Sequence, residues 1–223
     1  MNESDKVEQS EVVVQVPGAD LEGTLTIPEG ATAVVVFAHG SGSSRFSPRN
    51  RSVARALNDV GLATLLFDLL TAAEDEIDRR TRELRFDIGL LAERLGGAVE
   101  WAARQEPTRG MGIGLFGSST GAAATLIAAA RHPGAVGAVV SRGGRPDLAG
   151  DALAEVRAPT LLIVGGDDVP VIGMNREAAE RMSIEPRIEI IPGATHLFEE
   201  PGKLEEVARL AGVWFNEMLG GMR

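Results

Sequence analysis

The stretch MGIGLFGSSTGAAATLIAAAR, residues 111–131, contains the turn on which the fold assignment rests. Its first six residues form an apolar run typical of a strand buried on both faces of a parallel sheet. Its last twelve residues are rich in alanine and predict a helix. Between them, Gly117 and Gly121 flank Ser119 in a Gly-x-Ser-x-Gly turn. This spacing selects Ser119, rather than Ser118, as a nucleophile at a sharp turn from strand to helix.

Glycines at this spacing also occur in turns of two different kinds. A glycine-rich turn can serve simply to pack a helix closely on a strand, and the five-residue pattern alone does not distinguish that role from catalysis. Residues 112–117 also match the Gly-x-Gly-x-x-Gly pattern of dinucleotide-binding turns. The context excludes that match, because the glycines fall inside the predicted strand and residues 108–146 contain no Asp or Glu to hold a ribose.

The rest of the chain alternates predicted strands and helices. Residues 11–16 and 21–27 predict a β-hairpin around Pro17-Gly18. Buried strands are predicted at 33–38, 62–67, 111–116, 136–140, 160–164 and 188–191, with helices near 49–60, before 104, and at 120–131, 175–182 and 203–219. This order predicts the α/β class, with a mainly parallel twisted sheet and helices on both faces.

The domain organisation is predicted to be simple. A single domain spans 11–223 after a flexible N-terminus, 1–10. The charged residues 72–85 are expected to form a solvated loop and a helix start. About 17 residues separate Ser141 from Ala158, too few for a lid domain, so an open active site is expected.

Composition excludes several classes of function. The chain has 223 residues, a net charge of −10 and no cysteine. The negative charge argues against nucleic-acid binding, and the lack of cysteine excludes disulfides, a thiolate nucleophile and zinc–cysteine sites. No apolar run is long enough to span a bilayer, and the polar, acidic N-terminus does not resemble a secretory signal. We expect a cytoplasmic monomer or homodimer that acts on a small molecule without a cofactor or metal.

A serine nucleophile needs a base, and the chain contains three histidines. His132 falls at a predicted helix end, and His39 begins a glycine-rich loop directly after a strand. His196 lies in a loop between the last predicted strand and the last helix. Because a common chain order of such triads is Ser, then acid, then His, His196 is predicted to be the base.

The acid and the oxyanion hole follow from the same geometry. Asp168 comes after the strand at 160–164, with Asp167 and, more distantly, Asp147 as alternatives. An acid at this strand end can hold the imidazole in the required tautomer. The backbone N–H groups of Thr120 and of Ser41, in the loop after the first parallel strand, are predicted to form the oxyanion hole.

Three arginines are expected at the same edge of the sheet. Arg45 follows the loop at 39–44, and Arg142 and Arg145 follow the strand at 136–140. One hypothesis is that they bind a carboxylate or phosphate of the substrate, because guanidinium groups bind such anions bidentately. The alternative, slightly favoured, is structural: Arg142 would pair with Asp147 or Asp168 and brace its loop.

Four motifs, FAHGSGSS, GLFGSSTG, LLIVGGDDVPV and GATHLFEEPG, resemble the dienelactone-hydrolase-like branch of the α/β-hydrolases, over residues 12–219. The resemblance implies an α/β-hydrolase fold of eight strands whose second strand is antiparallel. It favours Asp168 as the acid, in the pattern Gly165-x-x-Asp168-x-x-Val171. Some members of the family are associated with phosphoribosyltransferase domains, and we expect none in this sequence.

One difference from the family limits which of its properties can be expected of this sequence. Dienelactone hydrolases proper use a cysteine nucleophile, so the lactone substrate is not implied here. The leading hypothesis is a serine hydrolase of esterase or lactonase type that uses Ser119, His196 and Asp168. The alternatives are a non-catalytic or regulatory binding protein with the same fold, and acyl transfer or carbon–carbon bond hydrolysis by the same triad.

Overall fold

The computed structural model describes residues 7–220. Within them, eight strands form one sheet: β1 (Val7–Val16), β2 (Ala19–Pro28), β3 (Ala33–Ala38), β4 (Ala63–Phe67), β5 (Gly112–Ser118), β6 (Val136–Arg142), β7 (Thr160–Gly165) and β8 (Arg187–Ile191). The same residues form six α-helices: α1 (Pro48–Asp59), α2 (Ala72–Thr81), α3 (Ile88–Arg104), α4 (Thr120–Arg131), α5 (Val169–Arg181) and α6 (Lys203–Leu219). Segments Leu84–Phe86 and Pro146–Glu155 are 3₁₀-helical.

The strands follow the order β1-β2-β4-β3-β5-β6-β7-β8. β2 is antiparallel to both of its neighbours, and every other pair is parallel. The predicted hairpin and the mainly parallel sheet with an antiparallel second strand are therefore confirmed. In the parallel part, Ala38 is paired with Gly117 and Ser118 with Arg142, so these strands end at one edge of the sheet.

Helices cover both faces of the sheet, as predicted, and enclose two apolar cores. On one face α3 and α4 pack against strand residues such as Val36 and Leu115. On the other face α1 and α6 pack against Phe37 and Phe116, whose ring centroids lie 4.8 Å apart. All residues of β3, β4 and β7 are buried, which explains why these strands are continuous apolar runs rather than alternating ones.

The connection between β6 and β7 is short, and no lid domain occurs within residues 7–220. It consists mainly of the 3₁₀-helical segment Pro146–Glu155, which is kinked at Gly150. The edge of the sheet above Ser119 is therefore open, as predicted. No helix in this part of the chain is long and apolar enough to cross a membrane. The cytoplasmic location stays a prediction.

Three expectations about local structure need correction. Residues 7–10, predicted to be flexible, belong to β1, whereas residues 1–6 lie outside the described part of the chain. Residues 72–85, expected to form a solvated loop and a helix start, instead form a complete helix over most of their length, α2, which starts with a capping box between Thr71 and Glu74. Helix α5 begins at Val169 rather than near residue 175, directly after the predicted catalytic acid.

Candidate active site

Ser119 lies in the sharp turn that the sequence predicts. β5 ends at Ser118 and α4 begins at Thr120, and between them Ser119 has φ 52° and ψ −121°. A positive φ is strained for a residue with a side chain and persists only where the surroundings enforce it. Ser119 occupies the N-cap position of α4 without making a capping hydrogen bond, which leaves its hydroxyl free for another role.

The two glycines of the motif allow this turn to pack tightly. A Cβ at Gly121 would lie 2.3 Å from the carbonyl oxygen of Ala38, and a Cβ at Gly117 would lie 2.5 Å from Cα of Ala122. Both distances are far below van der Waals contact, so no side chain fits at either position. The Gly-x-Ser-x-Gly pattern is thus required by the packing of β3, β5 and α4 around Ser119.

His196 and Asp168 are in direct contact. Nδ1 of His196 lies 2.7 Å from Oδ2 of Asp168, and both side chains are partly buried. A carboxylate at this distance from Nδ1 keeps the proton there and leaves Nε2 as an acceptor. Of the alternative acids, Asp167 is exposed and Asp147 binds Arg145 instead.

The loop that carries His196 is held by a residue that the sequence analysis missed. Glu200 accepts hydrogen bonds from the hydroxyl of Thr195, at 2.6 Å, and from its backbone N–H, at 3.1 Å. The hydroxyl bond is the main reason that the pKa of Glu200 lies below its ordinary value. Phe198 in the same loop is buried at a positive φ of 57°. The loop is therefore fixed on both sides of the histidine.

Residues at the end of β6 connect the serine to the histidine. The backbone N–H of Ser119 donates to the carbonyl of Arg142 at 3.3 Å. A Cβ at the next residue, Gly143, would lie 3.0 Å from the carbonyl oxygen of His196 and 3.6 Å from its Nδ1. The structure therefore brings the turn at Ser119 and the His196–Asp168 pair to the same edge of the sheet, and consecutive residues at the end of β6 contact both.

The predicted oxyanion loop packs against the serine, but one predicted donor has a partner. A Cβ at Gly40 would lie 3.2 Å from Cβ of Ser119, so the backbone of the loop packs closely against Ser119. The backbone N–H of Ser41 donates to Oγ1 of Thr120 at 2.9 Å. The backbone N–H of Thr120 lies in the first turn of α4 and therefore has no partner within the helix.

His39 has a structural role at the base of this loop. Its ring is buried, with Nδ1 3.0 Å from the carbonyl of Gly40, and its Nε2 accepts the backbone N–H of Leu69 at 3.2 Å. Burial lowers the pKa of His39 below its ordinary value and outweighs the opposing effects of Gly40 and nearby carboxylates. Because both ring nitrogens have partners, His39 does not act as the base for Ser119.

Two of the three arginines are already paired with carboxylates. Arg45 contacts Asp68 and Glu22, and Arg145 makes a two-pronged bond to Asp147 at 2.9 and 2.7 Å. These contacts do not support a role for Arg45 and Arg145 in binding a substrate anion. The proposed pairing of Arg142 with Asp147 or Asp168 is wrong, because Arg145 and His196 contact those carboxylates instead.

A cavity of about 850 Å³ adjoins the predicted oxyanion loop. Its walls are the loop at 39–44, residues 68–72 and the polar face of α2. The buried carboxylate of Asp78 binds Arg85 there, and Arg85 in turn lies against Gly42.

Within residues 7–220, no group of three or more acidic or histidine side chains is placed to hold a metal ion. The wall of the cavity that α2 forms was not predicted from the sequence, although the capping-box pattern of Thr71 and Glu74 indicates the start of that helix.

Comparisons with known proteins identify the family and the fold. The family model of the dienelactone hydrolase family matches residues 21–219. Two curated relatives from strains of Mycobacterium tuberculosis, provisionally named phosphoribosyl transferases, are 54% identical over 211 residues. That match covers 95% of this chain but 47% of each relative, so the chain spans about half the length of those proteins.

Solved structures show the same fold. A dienelactone hydrolase from Anabaena variabilis is 59% identical, with a TM-score of 0.94 over 96% of this chain and 99% of its own. A serine hydrolase without a lid from Xanthomonas campestris, 22% identical, has a TM-score of 0.74 over 97% of each chain. Est1E from Butyrivibrio proteoclasticus, 16% identical, has a TM-score of 0.78 over 94% of this chain and 99% of its own. This chain belongs to the dienelactone hydrolase family, and its fold is that of the α/β-hydrolases.

Proposed function

We propose that the protein is a serine hydrolase that cleaves a carboxylic ester or lactone through Ser119, His196 and Asp168. The observation that carries this proposal is the 2.7 Å contact between His196 Nδ1 and Asp168 Oδ2, at the sheet edge where Ser119 is held at a positive φ. Family and fold support a hydrolase. The geometry supports the choice of these three residues, and the absence of cysteine from the sequence favours serine over a thiolate as the nucleophile.

The reaction has two stages. Oγ of Ser119 attacks the acyl carbon, and its proton passes to Nε2 of His196. The ester bond then breaks, and His196 returns the proton to the departing alcohol. In the second stage water gives a proton to His196 and attacks the acyl carbon of the acyl-enzyme. The bond between that carbon and Oγ of Ser119 then breaks, and His196 returns the proton to Oγ, which releases the acid and restores both residues. Asp168 stabilises the imidazolium that forms in both stages without taking its proton.

The negative oxygen of each tetrahedral intermediate requires two donors. The backbone N–H of Thr120 lies at the N-terminus of α4, where the helix dipole also favours negative charge. The second donor is the N–H of Ser41, which exchanges Oγ1 of Thr120 for the oxyanion as charge develops. The cavity beside this loop has a volume within the usual range for small-molecule sites, and we propose that it receives one side of the substrate.

The proposal is tested by hydrolysis of p-nitrophenyl acetate, p-nitrophenyl butyrate, a thioester and a γ-lactone. Ser119→Ala is expected to abolish turnover of every substrate that the wild-type protein cleaves. Ser118→Ala is the matched control, because Ser118 is the buried neighbouring serine at the end of β5, and it is expected to retain activity. Adding an alcohol as a competing acceptor separates hydrolysis from acyl transfer.

Two results would contradict the proposal. Folded wild-type protein that cleaves none of these substrates would favour a non-catalytic binding role. Activity that survives Ser119→Ala would show that another residue is the nucleophile.

The name of the mycobacterial relatives makes a phosphoribosyl transfer assay a useful comparison. The proposed cleavage of an ester or lactone at Ser119 predicts no such transfer.

A further inference from the structure

Asn175 is a fully buried polar side chain of helix α5 that takes no direct part in the proposed reaction. It is 0% exposed. Its Nδ2 donates to the carbonyl oxygens of Gly144, at 3.2 Å, and of Val171, at 2.8 Å. Its Oδ1 is buried and has no hydrogen-bond partner among residues 7–220. A buried amide oxygen without a partner destabilises the fold, and leucine at this position would avoid that cost, so the asparagine calls for a functional explanation.

The carbonyl of Gly144 belongs to a segment, residues 142–145, that holds the backbone of Ser119 on both sides. The N–H of Ser119 donates to the carbonyl of Arg142 at 3.3 Å, and the carbonyl of Ser119 accepts the N–H of Arg145 at 3.1 Å. The positive φ of Ser119 is a strained conformation, which persists only where neighbouring groups enforce it. These two hydrogen bonds are therefore part of what keeps Ser119 in its sharp turn.

Residues 142–145 are themselves held between two helices. On the side of α4, a Cβ at Gly144 would lie 2.6 Å from Cβ of Ala122, so the segment packs against the helix that follows Ser119 without space for a side chain. On the side of α5, the amide of Asn175 binds the carbonyl of Gly144. Because residues 143 and 144 are consecutive glycines, their own conformational preferences do not fix the path of the segment. The hydrogen bond from Asn175 supplies a restraint that the glycines lack.

The same amide joins residues 142–145 to the acid of the proposed triad. Asp168 is the N-cap residue of α5, and its carbonyl accepts the backbone N–H of Val171 at 3.0 Å. The carbonyl of Val171 in turn accepts the second hydrogen bond from Nδ2 of Asn175. One side chain thus connects the turn of α5 that begins at Asp168 with the segment that holds Ser119.

We propose that Asn175 is a positioning residue for the nucleophile: by fixing the carbonyl of Gly144, it holds residues 142–145 against Ser119 and joins them to the helix that begins at Asp168. This inference rests on the proposed function, to which it adds a residue that contacts neither substrate nor reacting atoms. Turnover depends on the alignment of the nucleophile more steeply than substrate binding does. Loss of the amide is therefore expected to affect kcat rather than KM.

The first test removes the amide and measures turnover. Asn175→Leu introduces an apolar side chain of similar size that has no donor. With the ester that the wild-type protein cleaves best, we expect kcat to fall by about tenfold to a hundredfold, while KM stays within about threefold. Asn175→Ala removes the same donor without adding a branched side chain. It should show the same fall in kcat, and it replaces Asn175→Leu if the leucine does not pack.

Thr108→Val is the matched control for the loss of a buried hydrogen bond. Thr108 is 0% exposed, and its hydroxyl donates to the carbonyl of Ala102 at 2.6 Å. It precedes β5, at the other end of that strand from Ser119. Thr108→Val should lose stability as Asn175→Leu does but keep the wild-type kcat. Wild-type kcat in the folded Asn175 variants, or an equal fall in Thr108→Val, would overturn the inference and leave the proposed function intact.

The second test does not depend on turnover. Hydrogen exchange followed by NMR measures the protection of the backbone N–H groups of Ser119 and Arg145, the two donors that join the turn to residues 142–145. In Asn175→Leu we expect both to exchange about tenfold faster relative to the N–H groups of β3, whereas Thr108→Val should leave this ratio unchanged. Faster exchange in a protein that cleaves no ester would support the hold of Asn175 on Ser119 and contradict the proposed function. An unchanged ratio in Asn175→Leu would overturn the inference.

Discussion

The backbone N–H of Ser41 donates a 2.9 Å hydrogen bond to Oγ1 of Thr120. This bond joins the loop after β3 to the first turn of α4, and it fixes a proposed oxyanion donor beside Ser119. A hydroxyl is a weaker acceptor than an oxyanion, so the N–H can exchange Thr120 for the reaction intermediate without a large movement. In the proposed mechanism the side chain of Thr120 therefore positions one oxyanion donor, and its backbone N–H is the other.

Thr120→Val removes the acceptor but keeps the shape of the side chain. We expect kcat to fall about tenfold with little change in KM, because a donor that is poorly positioned weakens transition-state stabilisation more than substrate binding. Thr120→Ser keeps the hydroxyl and should stay within about twofold of the wild-type kcat. Steady-state kinetics with one ester decide the matter, and an unchanged kcat in Thr120→Val would show that this bond has no part in the reaction.

Asp168→Asn tests the orientation of the histidine. An amide in place of the carboxylate favours the wrong imidazole tautomer, so kcat should fall by about a thousandfold or more. Asp167→Asn is the control, because Asp167 is the exposed neighbour, and its kcat should change by less than about twofold. If both variants kept their activity, Asp168 would not be the acid of the triad.

Gly143→Ala tests the contact between the end of β6 and His196. Gly143 has φ 50°, and an added Cβ would lie 3.0 Å from the carbonyl oxygen of His196, so the histidine should be displaced and kcat/KM reduced by about tenfold or more. Gly150→Ala is matched to it, because Gly150 has φ 57° but nothing within 4 Å of the added Cβ. Both variants should lose about 1 kcal/mol of stability from backbone strain, whereas activity should fall only in Gly143→Ala.

The pH dependence of stability should reveal His39. Because burial holds its pKa below the ordinary value of 6.5, the folded protein binds fewer protons than the unfolded chain as pH falls below that value. The free energy of unfolding should therefore decrease as the pH is lowered from about 6.5. In His39→Gln, whose amide oxygen can accept the Leu69 N–H, this decrease should be smaller. Urea unfolding of both proteins at pH 7.5 and 5.5 measures how much the free energy of unfolding falls between the two pH values. An equal fall in the wild-type protein and in His39→Gln would contradict the effect ascribed to His39.

The architecture was largely predictable because its elements have local signals. Helices α4 and α6 begin and end at the predicted residues, and the buried strands stand out as apolar runs between turns. Strands of this kind can only form the interior of a sheet covered on both faces, so fold class follows from pattern alone. The extent of helix α2 was not predicted because its charged sequence lacks an apolar stripe. The sequence feature that indicates this helix is the capping residue Thr71.

The candidate site was predictable where function demands a fixed chain order, and less so where contacts are tertiary. Ser119, His196 and Asp168 follow from the motif, the positions after strands and the family resemblance. The partners of the arginines do not follow, because Arg45 meets Asp68 from another strand end and Arg142 meets no carboxylate in the described residues. Likewise, no local pattern indicates that Thr120 accepts the N–H of Ser41, which lies 79 residues earlier.

Whether Ser119 is an activated nucleophile is decided by covalent labelling with a fluorophosphonate probe, followed by mass spectrometry of the labelled peptide. Such probes react with a serine that a neighbouring base has activated. We expect one adduct, on Ser119, which disappears in Ser119→Ala and in His196→Ala but persists in Ser118→Ala. Folded protein that remains unlabelled, or an adduct on another residue, would contradict the assignment of Ser119 as the nucleophile.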